Sequence, residues 1–428
     1  MIRGKITHKT NGGGVDFLGN RHGLQGNGGA AAYVGRTGRR YNRGMTGPRK
    51  SSRRAFLKGR AALDALENLA ERIGGGAPAE KRLRVAGSRT SSPPLSITQR
   101  ESPTYLVEFT RRAMACEFQI SLNAGQHSFG PEAAVEALDL IDRLEDQMTV
   151  YRPHSEISQI NRGAAHAAMP VELHLHGLLE LGIELSEATD GAFDMTAGPL
   201  VRLWSQARKE GRLPDVDEID RVREVVNWRH VELDGVRRTV QFRRDGVEIN
   251  LGAIGKGYAL DRAARLLLDA GVENFLFHGG RSSLIAHGAR SGVGEGGGWR
   301  VAIRHPLRPD RPIGEVRLCG RGMGTSGSGT QFFTHRGRRY GHILDPRTGW
   351  PVEGMLSATV LAPTAAAADA LSTAFYVMGV EASLAYCQAH PEISAVLMAA
   401  GERPGAVALY TANLDDDHWR PAEAMPLG

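Results

Sequence analysis

Thr364–Gly379, TAAAADALSTAFYVMG, places a carboxylate and a hydroxyl inside an otherwise apolar run. Asp369 and Thr373 are four residues apart, so on a helix both oxygens leave one face about one turn apart. Two readings of the pair are open. One is internal hydrogen bonding, with Thr373 bonding back to the carbonyl one turn earlier. The other is a hard cation, since Mg²⁺ takes oxygen ligands and is held by one or two protein groups plus substrate phosphates.

Three further stretches bear chemistry. Ile254-Gly255-Lys256-Gly257-Tyr258-Ala259-Leu260-Asp261 has the form of a glycine-rich turn with a lysine that opens a helix. Such a turn can hold an anion on backbone N–H groups, with the lysine adding a full charge; the alternative is a tight turn with a solvated lysine. It matches neither the Walker A pattern nor G-x-G-x-x-G. Gly322–Gly329, GMGTSGSG, reads as a small-residue loop that lets a ligand approach the backbone, or as a loose loop. His342 precedes the turn Asp345-Pro346-Arg347-Thr348-Gly349, where a lone histidine is ordinarily structural.

The elements that must position these groups follow from periodicity. Thr364 suits the N-cap of the Asp369 helix and Gly379 its left-handed close. The turn at 254–257 is expected to follow a strand over Gly246–Ala253, with Val247, Ile249 and Leu251 on one face, and to lead into a helix ending at Gly271. Other expected helices run over Pro131–Met148, over Val171–Thr189 and around Asp217–Glu224, with a Ser155-capped turn between the first two. GAFDMTAGPLVRLW is expected as a loop leading into an apolar turn. Strands are expected in 105–122 with RRAMAC as a bend, over Asn274–Phe277, in WRVAIRHPL and GEVRLCG, on both sides of the 345–349 turn, and over Met355–Ala362, Ser394–Ala399 and Ala406–Thr411.

Charge divides the chain. Residues 1–100 hold 20 Lys and Arg against five acids, a net +15, and the rest holds 33 against 42, a net −9. Thirteen of the first fifty residues are glycine, and residues 1–103 are expected to be a disordered basic leader and linker ahead of one domain over 104–428. Within it, 51–73 contains Ser52-Arg53-Arg54-Ala55-Phe56-Leu57-Lys58, which looks like a degenerate twin-arginine signal. The next apolar positions, Leu63, Leu66, Leu69 and Ile73, have helical spacing among charges rather than forming an export core. A nucleic-acid arm lacks aromatic interleaving and any motif. Three cysteines give neither a disulfide framework nor a zinc site, and no apolar run approaches the ~18 residues of a membrane span.

Read together, the motifs resemble the ApbE family of FAD:protein FMN transferases over roughly Thr110–Ala400. The matching stretches are Met114 with its small neighbours, MTVYRPHSEISQIN, FDMTAGPLVRLW, NLGAIGKGYALD, the Gly-Gly after a strand, TSG, GHILDPRTGWPV and ADALSTA, in the family's order. The resemblance implies an α+β domain with a mixed, largely antiparallel sheet and packed helices. It implies FAD as substrate, Mg²⁺ as cofactor, transfer of the FMN half to a Ser or Thr of a target protein, and release of AMP. Asp369 and Thr373 fall on its metal ligands, with the backbone carbonyl of Gly255 as the third. Lys256 and Asp261 fall on residues lining the FAD site, Thr325 and Ser326 on the turn that lodges part of FAD, and Met114 and Tyr151 near the flavin and dinucleotide. His342 falls on the base that deprotonates the acceptor. Arg281 stands where an acid or amide is usual, and the aromatics after TSG are shifted to Phe332-Phe333. An acceptor of the redox or respiratory kind and a cell-envelope location follow from the resemblance, with the cytoplasm left open by the degenerate signal. An FAD pyrophosphatase giving FMN and AMP, and a flavin-binding protein without turnover, are the alternatives.

Overall fold

The computed structural model describes residues 105–290, 297–327, 332–403 and 405–422. The expected leader and linker, with the twin-arginine-like segment, lie outside the described residues.

The described chain opens with the hairpin β1 (Leu106–Ala113) and β2 (Cys116–Asn123). Helix α1 (Gly130–Met148) carries a proline in its first turn, and α2 (Glu156–Gly163) is capped by the Ser155 hydroxyl, which accepts from the Ser158 N–H at 3.1 Å. Next come β3 (Met169–Pro170), α3 (Leu173–Ala188), α4 (Gly198–Lys209), α5 (Val216–Arg223), β4 (Val231–Asp234) and β5 (Thr239–Phe242). Then follow α6 (Gly255–Asp269), β6 (Phe275–Gly279), β7 (Ser283–His287), β8 (Trp299–His305), β9 (Arg308–Leu318) and β10 (Arg321–Gly327). The hairpin β11 (Phe332–His335) and β12 (Arg338–Gly341) leads to β13 (Met355–Ala362), α7 (Ala365–Ala389), β14 (Ser394–Ala400), β15 (Val407–Ala412) and β16 (Trp419–Pro421).

The principal sheet has eight strands in the order β1-β2-β6-β7-β10-β13-β14-β15, and every neighbouring pair is antiparallel. Side chains alternate between its faces. Phe118, Ile120, Phe275, Phe277, Ala358 and Val360 face one side and pack with α1, α6 and α7. Leu284, Met323, Leu361 and Val396 face the other and meet Trp299, Val316 and Leu318 of the β16-β9-β8 sheet. The fold is therefore α+β, with helices on one face of an antiparallel sheet. A smaller cluster around Trp204 of α4 takes in Ile219, Tyr340 and Leu344, and the Trp204 indole donates to the Gly349 carbonyl at 2.8 Å. It anchors the β11–β12 hairpin and the turn at 345–349.

Five local expectations change. The strands expected on both sides of the 345–349 turn reduce to β12, which ends at Gly341, and a single antiparallel bridge between Leu344 and Pro351. Residues 247–251 are not a strand, although Val247, Ile249 and Leu251 are all buried. The Asn161 side chain takes the place of a neighbouring strand there, accepting from the Ile249 N–H at 2.8 Å and donating to its carbonyl at 2.9 Å. The TSG stretch is the end of β10 rather than a loop. The helix over 365–378 does close at Gly379 with φ +78°, but a second helical run continues to Ala389, with the Ser383 hydroxyl donating to the Gly379 carbonyl at 2.6 Å. GPLVRLWSQARK forms the full helix α4, because Pro199 suits its first turn and Leu200, Trp204 and Ala207 share a buried face.

Among the described residues, α7 is the one helix long and apolar enough to cross a membrane. Here it is a core helix, and glycines set how close it comes. A Cβ on Gly324 would lie 2.3 Å from the Ala368 carbonyl oxygen, and one on Gly322 would lie 2.4 Å from the Ala365 Cα. One on Gly257 of α6 would lie 2.1 Å from the Ala365 carbonyl oxygen. Gly324→Ala is expected to destabilise the protein by at least ~1–3 kcal/mol, the usual cost of overpacking a core. Denaturant unfolding checks this, and wild-type stability in the variant would mean that α7 is free to move off β10.

Candidate functional site

The position of α7 is set at its first turn. Thr364 is the N-cap, its hydroxyl accepting from the Ala367 N–H at 3.2 Å. Asp261 of α6 supplies a second cap from outside the helix, accepting from the Ala365 N–H at 2.7 Å and the Ala366 N–H at 2.8 Å. Three N–H groups that the helix leaves without partners are thereby satisfied.

One turn on, Asp369 is 5% exposed and holds three donors. Its Oδ2 accepts from the Gly257 N–H at 3.0 Å and lies 3.5 Å from Lys256 Nζ; its Oδ1 accepts from the Ser283 hydroxyl at 2.7 Å. Another turn on, the Thr373 hydroxyl is 3.4 Å from the Asp369 carbonyl and 3.2 Å from Ser326 Oγ. Ser326 Oγ is also 3.0 Å from Ser372 Oγ. The structure thus brings Asp369, Thr373, Lys256 and Ser326 into one cluster between α7, the start of α6 and the end of β10.

The remaining expected residues are placed differently. Thr325 precedes Ser326 on a strand and so faces the opposite side of the sheet, where its hydroxyl lies 3.0 Å from Thr359 Oγ1. Gly255 is the first residue of α6 and is buried, its N–H donating to the Leu251 carbonyl at 2.7 Å. A carbonyl at that position lies along the helix axis. Met114 and Ala115 form the two-residue turn between β1 and β2 with φ +48° and +57°, a left-handed pair held without glycine. Burial pushes the adjoining Cys116 thiol up, while the charges of Lys256 and Asp369 act on it in opposite senses. Tyr151 is 88% exposed in the loop after α1, and His342 is exposed just beyond β12.

Ser283, Ser372 and the Gly257 N–H were not singled out from the sequence. Ser283 was visible only as the end of the Gly-Gly-Arg-Ser-Ser run, and its partner Asp369 lies 86 residues away. A shallow groove of about 470 Å³ between α3, α6 and the start of α7 includes Asp261, Tyr258 and His176, but none of Asp369, Thr373 or Lys256. It is not the centre of this chemistry.

The cluster suits a hard cation. Among the described residues no three of His, Cys, Asp and Glu gather as a metal site. Asp369 and Thr373 offer oxygen only, and Mg²⁺ commonly takes few protein ligands and completes its shell with phosphates and water. Asp369 accepts two of its three hydrogen bonds on Oδ2 and one on Oδ1, which leaves lone-pair capacity on Oδ1.

The ApbE family model matches residues 114–397. The chain belongs to the ApbE family. It is 32% identical over 250 residues to the FAD:protein FMN transferase of Escherichia coli K12, covering 57% of this chain and 69% of that protein. It is 32% identical over 256 residues to the enzyme of the same name from Vibrio cholerae, covering 59% and 75%. The fold superposes on the flavin transferase ApbE of Vibrio cholerae with a TM-score of 0.64 at 28% identity, covering 72% of this chain and 98% of that one. It superposes on the ApbE protein of Thermotoga maritima with a TM-score of 0.63 at 28% identity, covering 71% and 96%.

In this family member the Asp261 carboxyl is pushed up to about 6, chiefly by burial, which outweighs the two amides it accepts from; the charge of Asp369 adds to the rise. An acid raised from its ordinary value of 3.8 contributes stability below about pH 4, and that contribution is lost as pH rises through about 6. The stability of wild type relative to Asp261→Asn is therefore expected to be more favourable at pH 4.5 than at pH 7. Denaturant unfolding at both pH values checks it; a difference independent of pH would show that burial and the amides cancel, and one more favourable at pH 7 that the amides outweigh burial.

Proposed function

We propose that this chain transfers the FMN half of FAD to a Ser or Thr hydroxyl of a target protein, releasing AMP. Membership of a family whose curated relatives are FAD:protein FMN transferases carries the reading. The buried oxygen-and-lysine cluster at Asp369 gives it a phosphate-handling centre.

The acceptor oxygen attacks the phosphorus of the FMN half. A new P–O ester forms, the pyrophosphate P–O bond to the AMP half breaks, and AMP leaves. Asp369 and Thr373, with the Gly255 carbonyl, are the residues that would hold Mg²⁺. When bound, the ion neutralises phosphate charge and orients the pyrophosphate. Lys256 stands beside the same carboxylate, 3.5 Å from Oδ2, and adds positive charge for the phosphoryl oxygens. The Gly257 N–H in the first turn of α6 points to the same carboxylate. Ser326 lines the cluster from β10, and the Met114 turn, Tyr151 and Asp261 are assigned to the surrounds of the dinucleotide, whereas Thr325 faces the other side of the sheet. His342 takes the acceptor hydroxyl proton as general base. Its exposure suits an acceptor that arrives from solvent as part of another protein.

FAD, Mg²⁺ and a co-expressed acceptor, followed by mass spectrometry, test this. The expected result is an FMN mass increment on the acceptor together with AMP. Asp369→Ala is expected to abolish Mg²⁺-dependent turnover while leaving the fold intact, and His342→Ala to slow transfer by ~10²–10⁴-fold. AMP and free FMN formed without any acceptor adduct would instead favour a pyrophosphatase. FAD bound without AMP formation, in wild type and His342→Ala alike, would favour a carrier.

A further inference from the structure

We propose that Ser283 is a positioning residue, holding the Asp369 carboxylate in the orientation that receives a divalent cation. The proposal rests on the reading of Asp369 as a metal ligand. Ser283 opens β7 and is fully buried. Strand alternation turns Ser283 and Ile285 toward the helices, while Leu284 and Ala286 turn to the other face. In the sheet register Ser283 lies opposite Gly279 of β6 and Gly324 of β10. With glycine on both sides, its hydroxyl is the one side-chain polar group that this three-residue row offers to α7.

The two firm bonds to the carboxylate come from different elements and reach different oxygens. Ser283 donates to Oδ1 at 2.7 Å and the Gly257 N–H donates to Oδ2 at 3.0 Å. Rotation of the carboxylate about Cβ–Cγ breaks at least one of them. Lys256 adds charge at 3.5 Å but little direction, because an ammonium group on a flexible stem has no preferred plane. Ser283 and Gly257 together therefore set the plane in which the remaining lone pairs of Asp369 lie. A hydroxyl that served only to satisfy a buried carboxylate would stabilise the protein equally with and without metal. A positioning hydroxyl shows itself in the metal-dependent part.

Mg²⁺ alone is titrated calorimetrically into the purified full chain as wild type, Ser283→Ala and Ser283→Thr, and melting is recorded with and without Mg²⁺. Ser283→Ala is expected to weaken Mg²⁺ binding by ~10–100-fold, the usual effect of removing a group that orients a metal ligand. The rise in melting temperature that Mg²⁺ gives is expected to shrink, and Ser283→Thr, which keeps the hydroxyl, to recover most of the affinity. Should Ser283→Ala not fold, Ser283→Cys, a weaker donor of similar size, is read in the same way. Wild-type Mg²⁺ affinity in the variant, or a loss of metal-free stability with the Mg²⁺ increment unchanged, overturns the proposal. A wild type that transfers FMN but binds no Mg²⁺ overturns it too and leaves the transferase reading standing. Ser283-dependent Mg²⁺ binding without FMN transfer supports it and overturns that reading instead.

Discussion

The site depends on how closely the backbone of α7 approaches β10 and α6. Helices usually meet a sheet through side chains, with a layer of apolar atoms between the backbones. Here Gly257, Gly322 and Gly324 remove that layer. The approach lets short side chains reach one another. A serine hydroxyl from β7, a serine from β10, a backbone amide of α6 and a carboxylate and threonine of α7 all come within hydrogen-bonding range. With ordinary packing distances the same contacts would need longer side chains, whose rotamer freedom would loosen the geometry. Alanine-rich sequence at the start of α7 serves the same end, since a larger residue at 365, 366 or 368 would push the helix away.

That closeness carries an electrostatic cost. Asp369 is buried and Asp261 half-buried, and the charge of Asp369 acts on Asp261. Burial without partners would be costly for either one. Asp261 is satisfied by the free amides of α7, a use of the helix N-terminus that also locks the helix in place. Asp369 has a neutral donor on each oxygen and a lysine at a distance longer than a tight ion pair. Asp261 thus does structural work, while Asp369 holds positive charge only loosely, which leaves room for a stronger cation on the proposed reading.

Much of this was legible in the sequence where the signal is local. Thr364 as cap, Gly379 as the close of the first helical run and Asp369/Thr373 on one face follow from neighbours in the chain and are found as expected. The family was legible because eight motifs occur in order. Illegible features arise where the partner is remote. Val247, Ile249 and Leu251 alternate as a strand would, yet their backbone is matched by the Asn161 side chain, 88 residues away from Ile249. Gly322-Met323-Gly324-Thr325-Ser326-Gly327 has loop composition because its glycines answer to α7, not to strand propensity. Once it is a strand, Thr325 and Ser326 must part to opposite faces, which no reading of TSG as a turn could give.

The cluster and its surroundings differ in how they are held, and the difference fits a reaction with two unequal partners. Asp369 and Ser283 sit in the core on regular elements, whereas Tyr151 and His342 are exposed on connecting segments. A pyrophosphate presents the same geometry at every turnover and gains from a rigid, dry receptor. A protein acceptor brings its own surface, so the group that takes its proton must be reachable from outside. His342 is nonetheless not loosely tethered. The strand before it packs Tyr340 against Trp204, and the turn after it is bonded to the same indole through the Gly349 carbonyl. On the proposed reading, an exposed histidine between two anchored points can meet an incoming hydroxyl without being drawn into the core.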